Sequence, residues 1–209
     1  MSAASDTEIK QLCDSVAKTW SRATMAAKDS GPPREPERPV VPMEFGWARF
    51  DAPELAVRTS FAARRLAEAR STERGWIVLV GAAGTGKTSL LVSMLRAACA
   101  HRPRIRFSAL FVPAHSIARA REQYPLGEGE PPLIERATRS ALVALDDLGS
   151  ERESSQGAIV DLIFDRRLAD RCTWATTGLS ADDVANRYGG GFARRLFERS
   201  TVIACERPA

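Results

Sequence analysis

Residues 81–89 read Gly81-Ala82-Ala83-Gly84-Thr85-Gly86-Lys87-Thr88-Ser89, a match to G-x-x-x-x-G-K-[ST]. The residue types suit phosphate. Glycines let successive backbone N–H groups turn inward without Cβ clashes, which makes a nest for anionic oxygens. A helix opening at the end of the loop adds the positive end of its dipole. Lys87 would reach the β- and γ-phosphates as a point charge, and the Thr88 hydroxyl is placed to ligate Mg²⁺. All nine residues are candidate nucleotide contacts.

A second group follows at Ala141–Gly149, ALVALDDLG, where an apolar stretch ends in two carboxylates. In parallel α/β sheets, ligands collect at the carboxyl ends of strands. Beside a phosphate loop, Asp146 would hold Mg²⁺, and Asp147 would orient or deprotonate an attacking water. The plainer alternative for the pair alone is an acidic turn that caps the next helix.

These groups need a scaffold, and the hydrophobic pattern supplies one. Trp76–Val80 is a short, largely β-branched apolar run suited to a buried parallel strand. Leu90, Leu91, Met94, Leu95 and Ala98 then fall at helical spacing. Further strands are expected within 104–112, 141–146, 172–177 and 201–204. Helices are expected over 53–70, 115–123, 133–139, 156–170, 180–187 and 192–199. Val57, Phe61 and Leu66 are the expected core contacts of the first of these. Ile159, Val160, Ile163, Phe164 and Leu168 form an expected apolar stripe, with Arg167 and Arg171 on the polar side. Ser180 with Asp183 is a capping-box signature. Five strands alternating with helices predict a three-layer α/β P-loop domain over 43–209.

Two segments precede that domain. Residues 5–28 read as an amphipathic helix opened by Ser5 and Glu8, with Ile9, Leu12, Cys13, Val16 and Trp20 on one face. Residues 29–42 are proline-rich and favour an extended spacer. The helix suits docking to a partner, packing back on the core, or pairing with its own copy. Phe45, Trp47 and Phe50 either cover an adenine or close the edge of the core.

Composition sets the outer limits. The net charge is +4, which permits nucleic-acid contact without demanding it. Beyond Lys10, Lys18 and Lys28, the remaining lysine is Lys87 in the loop. The four cysteines are scattered, which argues against zinc and a disulfide framework. With no apolar run of membrane-spanning length and no signal-peptide shape, a soluble cytoplasmic protein is expected.

VGAAGTGKTSL, ALVALDDLGSE, ATTGLSADDVANRYGGGFARRL and FERSTVIACE together resemble the DnaC/IstB branch of the AAA+ ATPases. That branch holds loaders of replicative helicases and helpers of transposases. The resemblance covers roughly residues 43 to 205. It implies a five-stranded parallel sheet of order 5-1-4-3-2, no helical lid, and ATP with Mg²⁺ at the interfaces of a homo-oligomer. It implies that Arg195 acts as an arginine finger on a neighbour's ATP. It also implies contact with DNA, single-stranded above duplex, with Arg119, Arg121, Arg136 and Arg139 as the candidate residues; Glu122, Glu128 and Glu130 interrupt that patch.

The chain departs from the family pattern at two places. Gly178 stands where the family usually has an asparagine that polarises the attacking water, so turnover is expected to be slow. Thr177, or its neighbour Thr176, is the candidate substitute. Gly190-Gly191 replaces a charged pair before Arg195, which predicts a more flexible approach to it. The expected function is an ATPase that loads or regulates a replicative helicase, or alternatively assists a transposase. A small-molecule kinase is the reading from a different class; it would want an arginine-bearing lid, and the chain offers only the short 124–132 loop.

Overall fold

β-Branched and aromatic residues alternate sides along each strand, and that alternation makes a sheet covered on both faces. In β1 (Trp76–Val80), Trp76 and Val78 point to one side and Ile77 and Leu79 to the other, all buried. The computed structural model describes residues 41–125 and 127–208, all within one unit that begins at Arg38. The helix expected over 5–28 and the spacer through residue 40 lie outside the described residues.

The other strands are β2 (Ala109–Pro113), β3 (Leu142–Leu148), β4 (Cys172–Thr177) and β5 (Ser200–Ala204). Every pairing is parallel and the order is β2-β3-β4-β1-β5, as expected. β1 therefore lies between β4 and β5, and β4 lies between β1 and the acid-bearing β3.

Helices fill the two outer layers. On one face lie α1 (Pro53–Arg58), α2 (Phe61–Arg70) and α3 (Lys87–His101), with Leu55, Ala63, Ala67, Leu91 and Leu95 packed on Ile77, Leu79, Ala144 and Trp174. On the other lie α4 (Ala114–Gln123), α5 (Pro132–Arg139), α6 (Gly157–Leu168), α7 (Ala181–Tyr188) and α8 (Gly190–Phe197). Their Ile117, Ile134, Leu162, Val184 and Leu196 pack on Val78, Val143, Leu145 and Ala175.

Several sequence expectations are corrected. The helix expected over 53–70 is two helices. Ser60 is extended and its hydroxyl accepts from Ala63 N at 3.3 Å, an N-cap that starts α2 afresh. The break re-phases the buried face. Val57, Phe61 and Leu66 are exposed, and Leu55, Ala63 and Ala67 are buried in their place. The second strand starts at Ala109, because Ile105–Phe107 forms a 3₁₀ turn. Gly190 and Gly191 open α8, so this stretch is helical where a flexible approach was expected.

In α6 the expected stripe is also displaced. Leu168 is exposed, and Leu162 and Arg166 are buried. Arg166 is fully buried and has no carboxylate partner among the described residues. Its guanidinium donates to Ala137 O (2.6 Å), Ser140 O (2.8 Å), Cys172 O and Thr173 Oγ1 (2.8 Å). It thus closes the orphan carbonyls at the end of α5 and ties them to β4. Burial lowers its pKa to about 10, which leaves it protonated at neutral pH. The next residue does the same for α8: Arg167 donates to Arg195 O at 2.9 Å and to Ser200 Oγ at 3.2 Å, with its guanidinium over Trp76.

Removing Arg166 leaves several buried acceptors unsatisfied, each costing about 1–3 kcal/mol. Arg166→Ala is expected to lower the unfolding free energy in urea by about 3 kcal/mol or more, and the exposed Arg194→Ala by less than about 0.5 kcal/mol. Equal effects would contradict the clamp.

Candidate functional site

The loop between β1 and α3 is shaped by its glycines. A Cβ at Gly81 would collide with the Cys205 carbonyl, because Cys205 N donates to Val80 O at 2.7 Å and draws the end of β5 against the loop. At Gly86, φ is +77° and a Cβ would sit 2.6 Å from Thr59 Cγ2. Only glycine fits there, and its left-handed turn aims the first N–H groups of the 15-residue α3 into the loop. The Thr85 hydroxyl donates to Ala82 O at 2.9 Å, and Ser89 is buried beneath.

Lys87 folds back on this loop. Its Nζ donates to Gly81 O at 2.7 Å and to Ala82 O at 2.9 Å. These carbonyls hold the ammonium at the rim of the phosphate cradle.

Asp146 is brought to the same place. Thr88 Oγ1 lies 3.0 Å from its Oδ1 and 3.1 Å from its Oδ2. The loop threonine and the strand-end acid, each expected to ligate Mg²⁺, thus lie side by side. Asp146 is 8% exposed, and burial is the main reason its pKa is raised; hydrogen bonds from Thr176 and Thr88 act against the rise, and Asp147 adds to it. The residues fit a magnesium nucleotide: one carboxylate and one hydroxyl side by side, next to a backbone nest, leave the remaining ligands to water and phosphate. Among the described residues no group of three or more His, Cys, Asp or Glu could hold a metal unaided.

Asp147 is exposed, with φ +57°. Its N–H donates to Thr176 Oγ1 at 2.8 Å, and its carbonyl accepts from Ser150 N at 3.1 Å and Ser150 Oγ at 2.7 Å. Those bonds fix a left-handed backbone that Asp tolerates better than most residues. The carboxylate is thereby left on the solvent side of the site.

The β4 threonines exchange the roles expected of them. The Thr177 hydroxyl is buried, donates to Leu148 O at 2.8 Å and accepts from Leu179 N at 3.1 Å, so it does not face the loop. Thr176 does: it donates to Asp146 Oδ1 at 2.7 Å while accepting from Asp147 N. Strand alternation explains the exchange, since one residue along β4 is the opposite face. Gly178 lies near the loop, where a Cβ would be 3.8 Å from Gly81 O.

Arg195 is on α8. Its guanidinium lies 4.2 Å over the Phe164 ring and Nη1 donates to Gly191 O at 3.1 Å. Of the four candidate DNA contacts, Arg121 is paired with Glu130, and Arg139 with Glu135 at 2.8 Å, so the four do not make an unpaired basic patch. Phe45, Trp47 and Phe50 pack on the core, and none lines the cavity beside the loop.

That cavity, about 780 Å³, is mainly apolar and is lined by Val80, Gly81, Phe197, Val202, Ala204 and Arg207 among others. Two site residues had no sequence signal. Arg207 approaches the loop, with Nη2 3.7 Å from where a Gly84 Cβ would be. Glu151 is buried, accepts from Gly149 N at 3.1 Å and from the Tyr188 hydroxyl, and pairs with Arg187 at 3.4 Å. It joins the turn after Asp147 to α7.

No protein-family profile and no curated protein match the sequence. In three dimensions the chain is similar to a structure of the DnaC helicase loader (TM-score 0.67, 20% identity, 78% of this chain and 99% of that one). It is similar to DnaI (TM-score 0.61, 19% identity, 79% and 92%). It is also similar to AMPPCP-bound DnaA from Aquifex aeolicus (TM-score 0.53, 18% identity, 69% and 45%). The likeness is one of fold: a five-stranded parallel sheet of order β2-β3-β4-β1-β5 between helical layers, as expected from the sequence. Among the described residues no helix is long and apolar enough to cross a membrane.

The raised pKa of Asp146 gives a stability signature. The cost of its buried charge is present in full above the raised folded pKa, and fades as pH falls from there through the ordinary value of 3.8. Asp146→Asn keeps acceptors for both threonines and removes the charge. Without nucleotide it is expected to melt higher than wild type at pH 7, by about 2–4 °C per 1 kcal/mol, with the gap closing toward pH 3.8. A variant that melts lower at pH 7 would contradict this.

Proposed function

We propose that this protein is an ATP-dependent AAA+ switch that acts as a loader or regulator of a replicative helicase. The observation that carries the reading is the 3.0 Å contact between Thr88 and Asp146 at the mouth of the glycine loop. A metal-competent hydroxyl and carboxylate side by side next to the loop support a magnesium triphosphate as its ligand.

The roles follow from position. Backbone N–H groups of 81–89 would hold the phosphates, and Lys87 would turn from Gly81 O and Ala82 O to the anionic oxygens. Thr88 and Asp146 would hold Mg²⁺, which neutralises phosphate charge when bound. With the terminal phosphate toward β3, the base is directed to the β5 side, where the apolar cavity beside Gly81 has room for it. Asp147 would orient the attacking water from the solvent side, held by the Thr176 hydroxyl and the Ser150 turn. Arg207 would add a cation beside Gly84.

Two features favour slow turnover. Gly178 offers no side chain toward the loop, and Arg195 is turned onto Phe164 of its own chain. Arg195 on a neighbouring copy would complete the site, where a cation at the terminal phosphate raises rates by about 10³–10⁵. The similarity to the DnaC helicase loader supports the helicase as partner over a transposase.

Light scattering of the full chain is expected to show monomer without nucleotide and an oligomer with Mg²⁺-ATP; a monomer in both states would contradict the switch. Asp147→Asn should retain ATP binding, measured by equilibrium dialysis, and lose about 10²-fold or more in hydrolysis. Hydrolysis at the wild-type rate would remove Asp147 from the role of base.

A further inference from the structure

In an all-parallel sheet every strand begins at the same edge, and here that edge is opposite the phosphate loop. The segments leading into the strands carry Arg74 before β1, Arg102, Arg104 and Arg106 before β2, Arg171 before β4 and Arg199 before β5. None of the six has a carboxylate ion-pair partner among the described residues. Of the acids at this edge, Glu73 pairs with Arg70 at 2.6 Å, and Asp170 lines the same cavity as three of the arginines.

The arginines converge. Arg74, Arg102 and Arg171 line one cavity of about 370 Å³, together with Asp170 and Cys172. Within it Arg102 Nε and Nη1 are shielded from solvent and have no hydrogen-bond partner, and Nη2 reaches Glu73 O only at 3.4 Å. Arg106 Nε is likewise shielded and unpartnered. Buried donors left unsatisfied are costly, and anionic oxygens are the acceptors that suit guanidinium groups. Arg171 and Arg199 immediately precede β4 and β5, and Arg74 precedes β1 between them. Adjacent strands are about 5 Å apart, so these cations form a closely spaced row that a phosphodiester chain can follow.

An aromatic platform is next to the row. Phe107 is 44% exposed, and the Arg106 guanidinium lies 4.5 Å over its ring. An exposed ring beside cations suits a stacked base as well as a phosphate, and it accepts any base because all have a π-face. An acidic peptide would use the arginines and leave the ring idle. A duplex would hide its bases from it.

We propose that the amino-terminal edge of the sheet, built from Arg74, Arg102, Arg104, Arg106, Phe107 and Arg171, is a single-stranded nucleic-acid binding surface separate from the nucleotide loop. It faces away from Lys87 by the length of β1, about 17 Å for five residues. Binding here needs no nucleotide, and it stands or falls independently of the ATP reading.

The test is fluorescence anisotropy of a labelled oligothymidylate with the full chain, without nucleotide, over a salt series. Four phosphate contacts give a log–log slope of about −3, and the double variant Arg74→Ala/Arg104→Ala flattens it by about 1.4. Phe107→Ala weakens binding about fivefold or more, while the exposed Arg194→Ala binds as wild type. Arg74 and Arg104 are exposed, and circular-dichroism melts establish that each variant is folded. A wild-type slope near zero overturns the proposal, as does a slope and affinity unmoved by the three substitutions. Tight binding of polyglutamate with none of oligothymidylate also overturns it, and assigns the edge to an acidic protein.

Discussion

Thr88 and Asp146 are 58 residues apart in sequence and 3.0 Å apart in space. That contact depends on most of the fold. Thr88 is fixed by the turn at Gly86, where no side chain larger than hydrogen clears Thr59 and the Arg58 carbonyl. Asp146 is fixed by the register of β3 against β4, where Thr176 reaches it from the next strand. The cost is a carboxylate held at 8% exposure with its pKa raised by burial. A buried acid with two hydroxyl donors and, among the described residues, no cationic partner is poorly explained as a stabilising element. It is well explained as half of a metal site whose other ligands arrive with a nucleotide.

The same reasoning separates what the sequence made legible from what it hid. Strands, loop and acids were readable because each has a periodicity or motif: β-branched runs, G-x-x-x-x-G-K-T, and carboxylates at a strand end; the strand order came only with the family resemblance. Which of Thr176 and Thr177 meets Asp146 was hidden because a one-residue shift along β4 changes faces, and only the register to β3 turns Thr176 to the acid and Thr177 to Leu148 O. Phe61 was assigned to the core because one helix was read through Ser60; the cap there restarts the phase. Arg166 could not be found by pattern at all. Its role depends on the carbonyls at the end of α5, and no local signal marks an arginine as a clamp for a distant helix. Glu151 and Arg207 were hidden for the same reason.

Charge is divided between the two ends of the sheet. At the carboxyl end, the loop, Lys87 and Arg207 face two acids, a mixed field suited to a phosphate bound with a divalent cation. At the amino end, arginines outnumber free acids and an aromatic ring is exposed among them. Between the ends run the arginine clamps: Arg166 holds α5 to β4, and Arg167 holds α8 to α6 and β5. Since Arg195 is carried by α8, the position of any finger it supplies is set by Arg167 and by the Tyr188–Phe192 stack at 4.5 Å.

In the proposed oligomer one chain supplies the phosphate loop and a second supplies Arg195. Mixing two variants, each inactive alone, tests it most directly. Lys87→Ala keeps Arg195 and lacks the loop cation; Arg195→Ala keeps the loop and lacks the finger. If the site is shared, steady-state ATP turnover of the mixture rises well above the sum of the two variants measured separately, and peaks at an intermediate ratio. A mixture that turns over ATP at only the summed rate at every ratio would mean that each chain works with its own residues, and would contradict the account.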